Sequence, residues 1–252
     1  MHCLNTEIQK CVDKDERLEL MFSYFKKLKA KVDEILLFGP CNNAIAEETA
    51  NAYYYKKQCQ NKGSLFPVRY SKKELQALPA VIANKLSQSD DRLKTQGTTL
   101  NTFKEYFKRA YLYGTGTCEY YAIVGAYFLA TEFDVSMSIE TLYSTETHTY
   151  IRVHTTPEYI VDFWGELVCE YNDTLSWNEF FGEFPRNSTS ETKTNIHFSE
   201  SSQLIGLGKD IFSEQNEQQR LSILQQVKLL VAREHSSEVV PEELQHFSPI
   251  TV

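Results

Sequence analysis

Gly114-Thr115-Gly116-Thr117-Cys118-Glu119-Tyr120-Tyr121-Ala122 is the stretch whose reading decides the fold, together with Thr147-His148-Thr149-Tyr150-Ile151-Arg152-Val153 and Tyr159-Ile160-Val161-Asp162-Phe163-Trp164 downstream. The glycines interrupt a helical pattern, and Thr117 is placed to cap a new helix from Cys118 to about Thr131. Tyr121, Ala122, Gly125, Phe128 and Leu129 share one side of that helix. Beyond it Val135, Met137, Ile139 and Thr141 alternate as in a strand. Two further strands, 147–154 and 159–164, are joined at Thr155-Thr156-Pro157.

Upstream of this stretch the pattern is helical. Leu18, Met21, Phe22, Phe25, Leu28, Val32, Ile35 and Leu36 predict an amphipathic helix over about Lys14–Phe38, closed by Gly39-Pro40. Ala44–Cys59 reads as a second helix. Ser71 and Glu74 have the spacing of a capping box before a third, which Pro79 is expected to kink or split. Phe103, Tyr106, Phe107 and Ala110 mark a fourth helix, and residues 87–99 read as a polar loop. Downstream, residues 185–203 read as a loop, Gly206-Leu207-Gly208 as a helix lead-in, and Ile211 to Val231 as one long helix. The plan is α+β. It divides into a helical region 1–100, a core 101–235 with its C-terminal helix, and an acidic tail 236–252.

A cysteine on the first turn of a helix has a chemical use. The helix N-terminus offers unpaired N–H groups and a partial positive charge, which favour a thiolate and can stabilise an oxyanion. A nucleophilic thiol needs a base, and the base needs an orienting partner. His148 lies 30 residues after Cys118, and Asp162 lies 14 after His148. If the hairpin centres near Thr155, the last two face each other; if on Thr156, they are diagonal neighbours. Either register puts both on one face and leaves Ile151, Val153, Val161 and Phe163 for the core. Each residue alone has an ordinary structural reading, as a buried thiol, a strand histidine or a strand-ending aspartate. The order Gly-rich turn–Cys–helix, strand–His, strand–Asp points to catalysis.

This arrangement resembles the transglutaminase-like branch of the papain-like cysteine enzymes, in which the cysteine opens the central helix and histidine and aspartate follow on adjacent strands. The matching stretches are GTGTCEYYAIVGAYFLA, HTYIRV and YIVDFW, within residues 105–166. The resemblance implies a papain-like, transglutaminase-like core with extra N- and C-terminal helices. It implies Cys118 as nucleophile, His148 as general base and acid, and Asp162 as the group that orients the imidazole. Tyr113, Gly116, Thr117, Tyr150 and Trp164 are the expected substrate-binding residues around them.

Papain-like proteases carry a glutamine shortly before the cysteine. Here that run is Tyr111-Leu112-Tyr113, so Tyr111, Tyr113 or the Cys118 N–H must serve the oxyanion. The short Cys–His interval is similar to that of bacterial effector deamidases and transglutaminases. The expected activity is thioester chemistry on a glutamine carboxamide of a host protein. A cysteine protease with the same triad and a non-catalytic interaction module with a relic triad are the alternatives. No cofactor is expected. No metal site is expected either, because His154, His197 and Glu200 lack metal-ligand spacing.

The charge of −8 is unevenly placed. Residues 52–110 carry 12 basic and 4 acidic side chains, and residues 111–252 carry 7 and 21. An acidic chain with no basic arm lowers the expectation of a nucleic-acid partner. Lys56, Lys57, Lys72, Lys73, Lys108 and Arg109 are expected to form a basic face, solvated or docking an acidic partner. The acidic half is expected to favour basic surroundings on its protein substrate.

No apolar run approaches the ~20 residues of a membrane span, and MHCLNTEIQKCVDKDE lacks a signal peptide's apolar stretch. Six scattered cysteines without a CxxC pair read as reduced thiols. The expected setting is a reducing cytosol, that of a host cell if the chain is a translocated effector. Glu234, Glu238, Glu242 and Glu243 are similar to glutamate-rich export signals of such proteins.

Overall fold

A computed structural model describes residues 2–63, 69–94, 97 and 99–236. The elements in chain order are β1 (His2–Cys3), α1 (Leu4–Ile8), α2 (Lys14–Ile35), α3 (Ala44–Asn61), α4 (Lys72–Ser89), α5 (Thr99–Tyr113) and α6 (Cys118–Glu132). There follow β2 (Phe133–Asp134), β3 (Met137–Tyr143), β4 (Thr147–Val153), β5 (Tyr159–Asp162), β6 (Leu167–Glu170), α7 (Thr174–Phe180), β7 (Glu191–Phe198), α8 (Ser201–Ile211) and α9 (Glu214–Ser236). This is an α+β fold with a small antiparallel sheet and several helices. The acidic tail read into residues 236–252 lies outside the described residues except for Ser236, the last residue of α9. No described helix is long and apolar enough to cross a membrane.

Local chemistry starts the helices where the pattern places them. Asp13 and Asn43 accept the N–H of Glu16 and Ala46 at 2.9 and 2.8 Å, capping α2 and α3. Ser71 and Glu74 form the reciprocal capping box of α4. Helix α4 runs unbroken through Pro79, contrary to the expected split. Burial of Leu78, Val81 and Ile82 on both sides of the proline outweighs the one hydrogen bond its ring removes.

Helix α6 is apolar nearly all round and is the hub. It packs on α2, α5, α8 and β4. Gly125 admits the sheet here, since a Cβ would lie 2.1 Å from the Phe163 ring. One buried core runs from Leu4 on α1 to Val227 on α9 and draws on every layer.

The main sheet has five antiparallel strands in the order β6-β5-β4-β3-β7, and β1 pairs with β2 in parallel beside it. Its two outer strands were not legible in the sequence. Residues 185–203 contain β7, whose exposed polar positions hide an edge strand, in place of the expected loop. Ile151 pairs with Val161 and Val153 with Tyr159, so the β4–β5 hairpin centres on Thr156. Ile151, Val153, Val161 and Phe163 face α6, as the alternation requires. The opposite face is covered by α7 and the segment after it, in a second cluster of Leu142, Tyr150, Ile160, Cys169, Trp177, Phe181 and Phe184.

Three further expectations are corrected. The long C-terminal helix is α9, which starts at Glu214; Ile211 ends α8 instead. Gly206 and Gly208 lie inside α8, where Gly208 lets the Tyr127 ring approach to within 2.0 Å of the missing Cβ. The supposed polar loop at 87–99 holds the end of α4 and a 3-10 turn at Asp91–Leu93. The basic face is not uniformly solvated: Lys56 is buried and pairs with Glu234 at 3.1 Å, and Arg109 donates to the Ser87 and Leu93 carbonyls.

Candidate active site

The approach to Cys118 is clamped by a distant strap. Phe38 N–H donates to the Gly114 carbonyl at 2.8 Å, Cys41 N–H to Gly116 at 3.1 Å, and Thr115 Oγ1 to the Gly39 carbonyl at 2.7 Å. Gly114 has φ +67°, a conformation side chains oppose. Gly116 has a different reason to be glycine: a Cβ would sit 2.4 Å from that of Tyr120. Asn42, on the same strap, accepts the indole N–H of Trp164 at 2.9 Å. Nothing in the sequence linked residues 38–42 to this site.

Cys118 is the first residue of α6 and is 5% exposed. Thr117 is the N-cap residue, yet its hydroxyl makes no cap bond and donates instead to the Glu119 carboxylate. The Cys118 thiol donates to the same Glu119 oxygen at 3.4 Å. Burial pushes the thiol up, the Glu119 charge adds to this, and the backbone N–H of Thr149 opposes it. The expected thiolate-favouring environment is therefore reversed in this state. Burial is the largest cause, and the adjacent Glu119 carboxylate adds to it.

His148 and Asp162 come together as diagonal neighbours on the α7 face of the sheet. His148 Nε2 donates to Asp162 Oδ2 at 2.5 Å, with both side chains almost fully buried. The second carboxylate oxygen accepts the N–H groups of Trp164 and Gly165, each at 3.0 Å. The aspartate is thus held on three sides, and its orientation is set by the turn that follows β5. Gly165 is needed for this, because a Cβ would lie 1.9 Å from Phe181 and 3.0 Å from Asp162 Oδ2. Rings of Trp164, Phe181 and Phe184 surround the imidazole with centroids 4.9–5.1 Å away, and Trp177 lies at 6.0 Å.

Cys118 and His148 are not hydrogen-bonded to each other. His148 packs against Trp177, Phe181 and Phe184 on the α7 face of the sheet, whereas Cys118 belongs to α6 on the opposite face, where the nearby Thr149 backbone N–H favours its thiolate. The Nδ1 of His148 has no hydrogen-bond partner among the described residues.

The expected substrate-binding residues divide. Gly116 and Thr117 flank the thiol, and half-buried Trp164 packs against His148 at a tilt, centroids 5.1 Å apart. Tyr113 and Tyr150 are interior instead. Tyr113 is 3% exposed and donates to Asp90 at 2.6 Å, and Tyr150 is fully buried and donates to Glu140 at 3.3 Å. Their hydroxyls are satisfied by carboxylates within the fold. Glu119, Thr149, Phe181 and Asn195 are the site residues that sequence reasoning missed. Only Glu119 carried a signal, being next to the cysteine.

His154 and His197 meet across Ser138, whose hydroxyl lies 2.7 Å from His154 Nε2 and 3.0 Å from His197 Nδ1. The carboxylate that joins them is Glu158, 2.7 Å from His154 Nδ1, rather than Glu200. Among the described residues no three His, Cys, Asp or Glu side chains are grouped to hold a metal ion. Compared with protein-family models, curated proteins and solved structures, the chain matches none.

Proposed function

We propose that the protein is a cysteine-dependent acyl-transfer enzyme that opens a glutamine side-chain amide of a protein through a thioester. The observation that carries this reading is the His148–Asp162 bond of 2.5 Å, buried and clamped by two backbone N–H groups. With Nε2 engaged by Asp162, Nδ1 is the nitrogen left for the thiol, and because the imidazole lies on the α7 face and Cys118 on the α6 side of the sheet, the proton transfer requires His148 to be repositioned toward Cys118. Cys118 sulfur attacks the carboxamide carbon after its proton passes to His148. The oxyanion is met by amide N–H groups at the start of α6. Collapse breaks the C–N bond, and His148 returns the proton to the departing ammonia. Water or an amine, deprotonated by His148, then releases the acyl group and restores the thiol. No cofactor is required by these steps.

The reading places the chain in a reducing cytosol, consistent with six free cysteines, and as a translocated bacterial effector in that of a host cell. The buried, protonated Cys118 favours a second reading, a protein-interaction module with a relic triad.

The test is to incubate the protein, and C118A and H148A variants, with a eukaryotic cell lysate and compare the lysate proteins by mass spectrometry. Glutamine converted to glutamate or to an amine adduct, only with intact Cys118 and His148, is the expected result. New chain termini instead indicate a protease. Identical lysates with all three proteins overturn the enzyme readings in favour of the interaction module.

A further inference from the structure

Beside Cys118 a cleft of about 260 Å³ is lined by Thr99, Phe103, Tyr106, Glu119, Thr141 and Asn195 among others. That is smaller than the ~300–1,000 Å³ of a typical small-molecule pocket and suits a single long side chain. We propose that this cleft receives a cationic side chain, arginine or lysine, next to the reacting amide of the substrate protein, and that Glu119 is the specificity-determining residue. The proposal rests on the thioester reading for what is bound, and on the cleft itself for how.

The polar atoms facing the cleft call for a donor-rich ligand. Glu119 uses Oε2 for both Thr117 and Cys118, and its Oε1 has no hydrogen bond among the described residues. No cation pairs with it there. Arg109, which influences the neighbouring Tyr106, spends its guanidinium on the Ser87 and Leu93 carbonyls. Asn195 donates its Nδ2 to Thr141 at 2.6 Å, which leaves its side-chain oxygen as an unused acceptor. An unpaired carboxylate and an amide oxygen favour a ligand with several N–H donors and positive charge.

The walls fit the same ligand. Phe103 and Tyr106 meet edge to face with centroids 5.7 Å apart, and Tyr106 packs on Tyr120 at 4.9 Å. A cation held against such rings gains from their quadrupoles when it is partly desolvated.

Binding is also coupled to the nucleophile. Thr141, which Asn195 bonds, lies 2.8 Å hydroxyl to hydroxyl from Thr149, the residue whose backbone N–H favours the Cys118 thiolate. Glu119 itself holds the thiol proton. A cation on Glu119 offsets the charge that adds to burial in disfavouring the thiolate, so Cys118 ionises more readily when the correct substrate is in place. Specificity and activation then share one carboxylate.

The test separates binding from chemistry. C118A protein is titrated with Nα-acetyl-arginine methylamide, Nα-acetyl-lysine methylamide and neutral Nα-acetyl-citrulline methylamide, followed by NMR shifts of residues lining the cleft. The expected result is that at least one cation binds roughly tenfold tighter than citrulline. That preference disappears in C118A/E119Q and weakens in C118A/N195A. With intact Cys118, the preferred cation accelerates iodoacetamide alkylation at that residue and citrulline does not. Failure of both cations to bind, equal binding of citrulline, or a preference that survives E119Q overturns the proposal. Failure of the thioester reading has a different signature, a cation preference intact while no glutamine in the lysate depends on Cys118.

Discussion

The carboxylate of Glu119 lies 3.4 Å from the thiol of Cys118, its predecessor in the chain, and takes the hydroxyl of Thr117 on the same oxygen. One side chain therefore takes the hydroxyl that would otherwise cap α6 and adds its charge to the burial that raises the Cys118 thiol.

Glu119→Gln removes the charge and keeps the shape. The pH at which Cys118 becomes reactive moves down, because burial remains but the adjacent anion is gone. Iodoacetamide labelling against pH, read residue by residue by mass spectrometry, measures this. An unchanged profile at Cys118 would show that burial alone governs the thiol.

Asp162→Ala and Asp162→Asn separate structure from chemistry. Alanine leaves the buried His148 Nε2 and two backbone N–H groups without their acceptor, and a loss of about 3–5 kcal/mol is expected in chemical denaturation. Asparagine keeps an oxygen for the Trp164 and Gly165 N–H groups, so it costs less stability. It also turns its NH₂ toward Nε2 and forces the other tautomer, so Cys118-dependent turnover falls steeply. Asparagine as destabilising as alanine would argue against the backbone clamp.

The glycines offer an internal control. Gly165→Ala drives a methyl into Phe181 and toward Asp162, at an expected cost of about 1–3 kcal/mol or more. Gly206→Ala, in α8 with nothing within 4 Å, is expected to stabilise by about 0.5–1 kcal/mol. Melting temperatures of the two variants should lie on opposite sides of the parent protein, and a shift in the same direction would contradict the packing described.

Stability should fall on the alkaline side. Burial pushes Cys41 and Cys169 up to about 12 and moves Cys118 in the same direction. Unfolded thiols ionise near pH 8.5. Between those values the unfolded chain has lost thiol protons that the folded chain retains, so unfolding becomes progressively more favourable as pH rises. The contribution is fully present below about pH 8.5 and lost toward about pH 12. Denaturation midpoints across this range test it, and Cys169→Ala should make the decline shallower.

Much of the scaffold was legible because its signals are local. The capping box at Ser71 and Glu74, the apolar period of α2, and alternation in β4 and β5 each lie within a few residues of what they determine. Even spacing between His148 and Asp162 was enough to put them on one face, since strand periodicity admits no other outcome once the hairpin exists. The elements that escaped depend on distant partners. Strand β7 is polar on its exposed side and is a strand because β3 supplies its ladder. Phe22, on the apolar stripe of α2, remains 42% exposed, which periodicity alone does not reveal. At the site the charge environment was misread, because a cysteine at a helix N-terminus was weighed against the dipole without Glu119 or the covering layer. Tyr113 and Tyr150 were placed near the right residues but point inward, to Asp90 and Glu140.

Arg220 on α9 is 8% exposed and donates to the carbonyls of Glu34 and Ile35 at the end of α2 and of Tyr111 near the end of α5. Those two helices lead directly into the strap at 38–42 and the glycine approach at 114–116. The guanidinium therefore ties together, from the far end of the chain, both segments that present Cys118. During synthesis Cys118 emerges about a hundred residues before this tie is available. A growing chain can form α6 early and still lack the clamp that aims it. The thiol acquires its described surroundings only once α9 has docked.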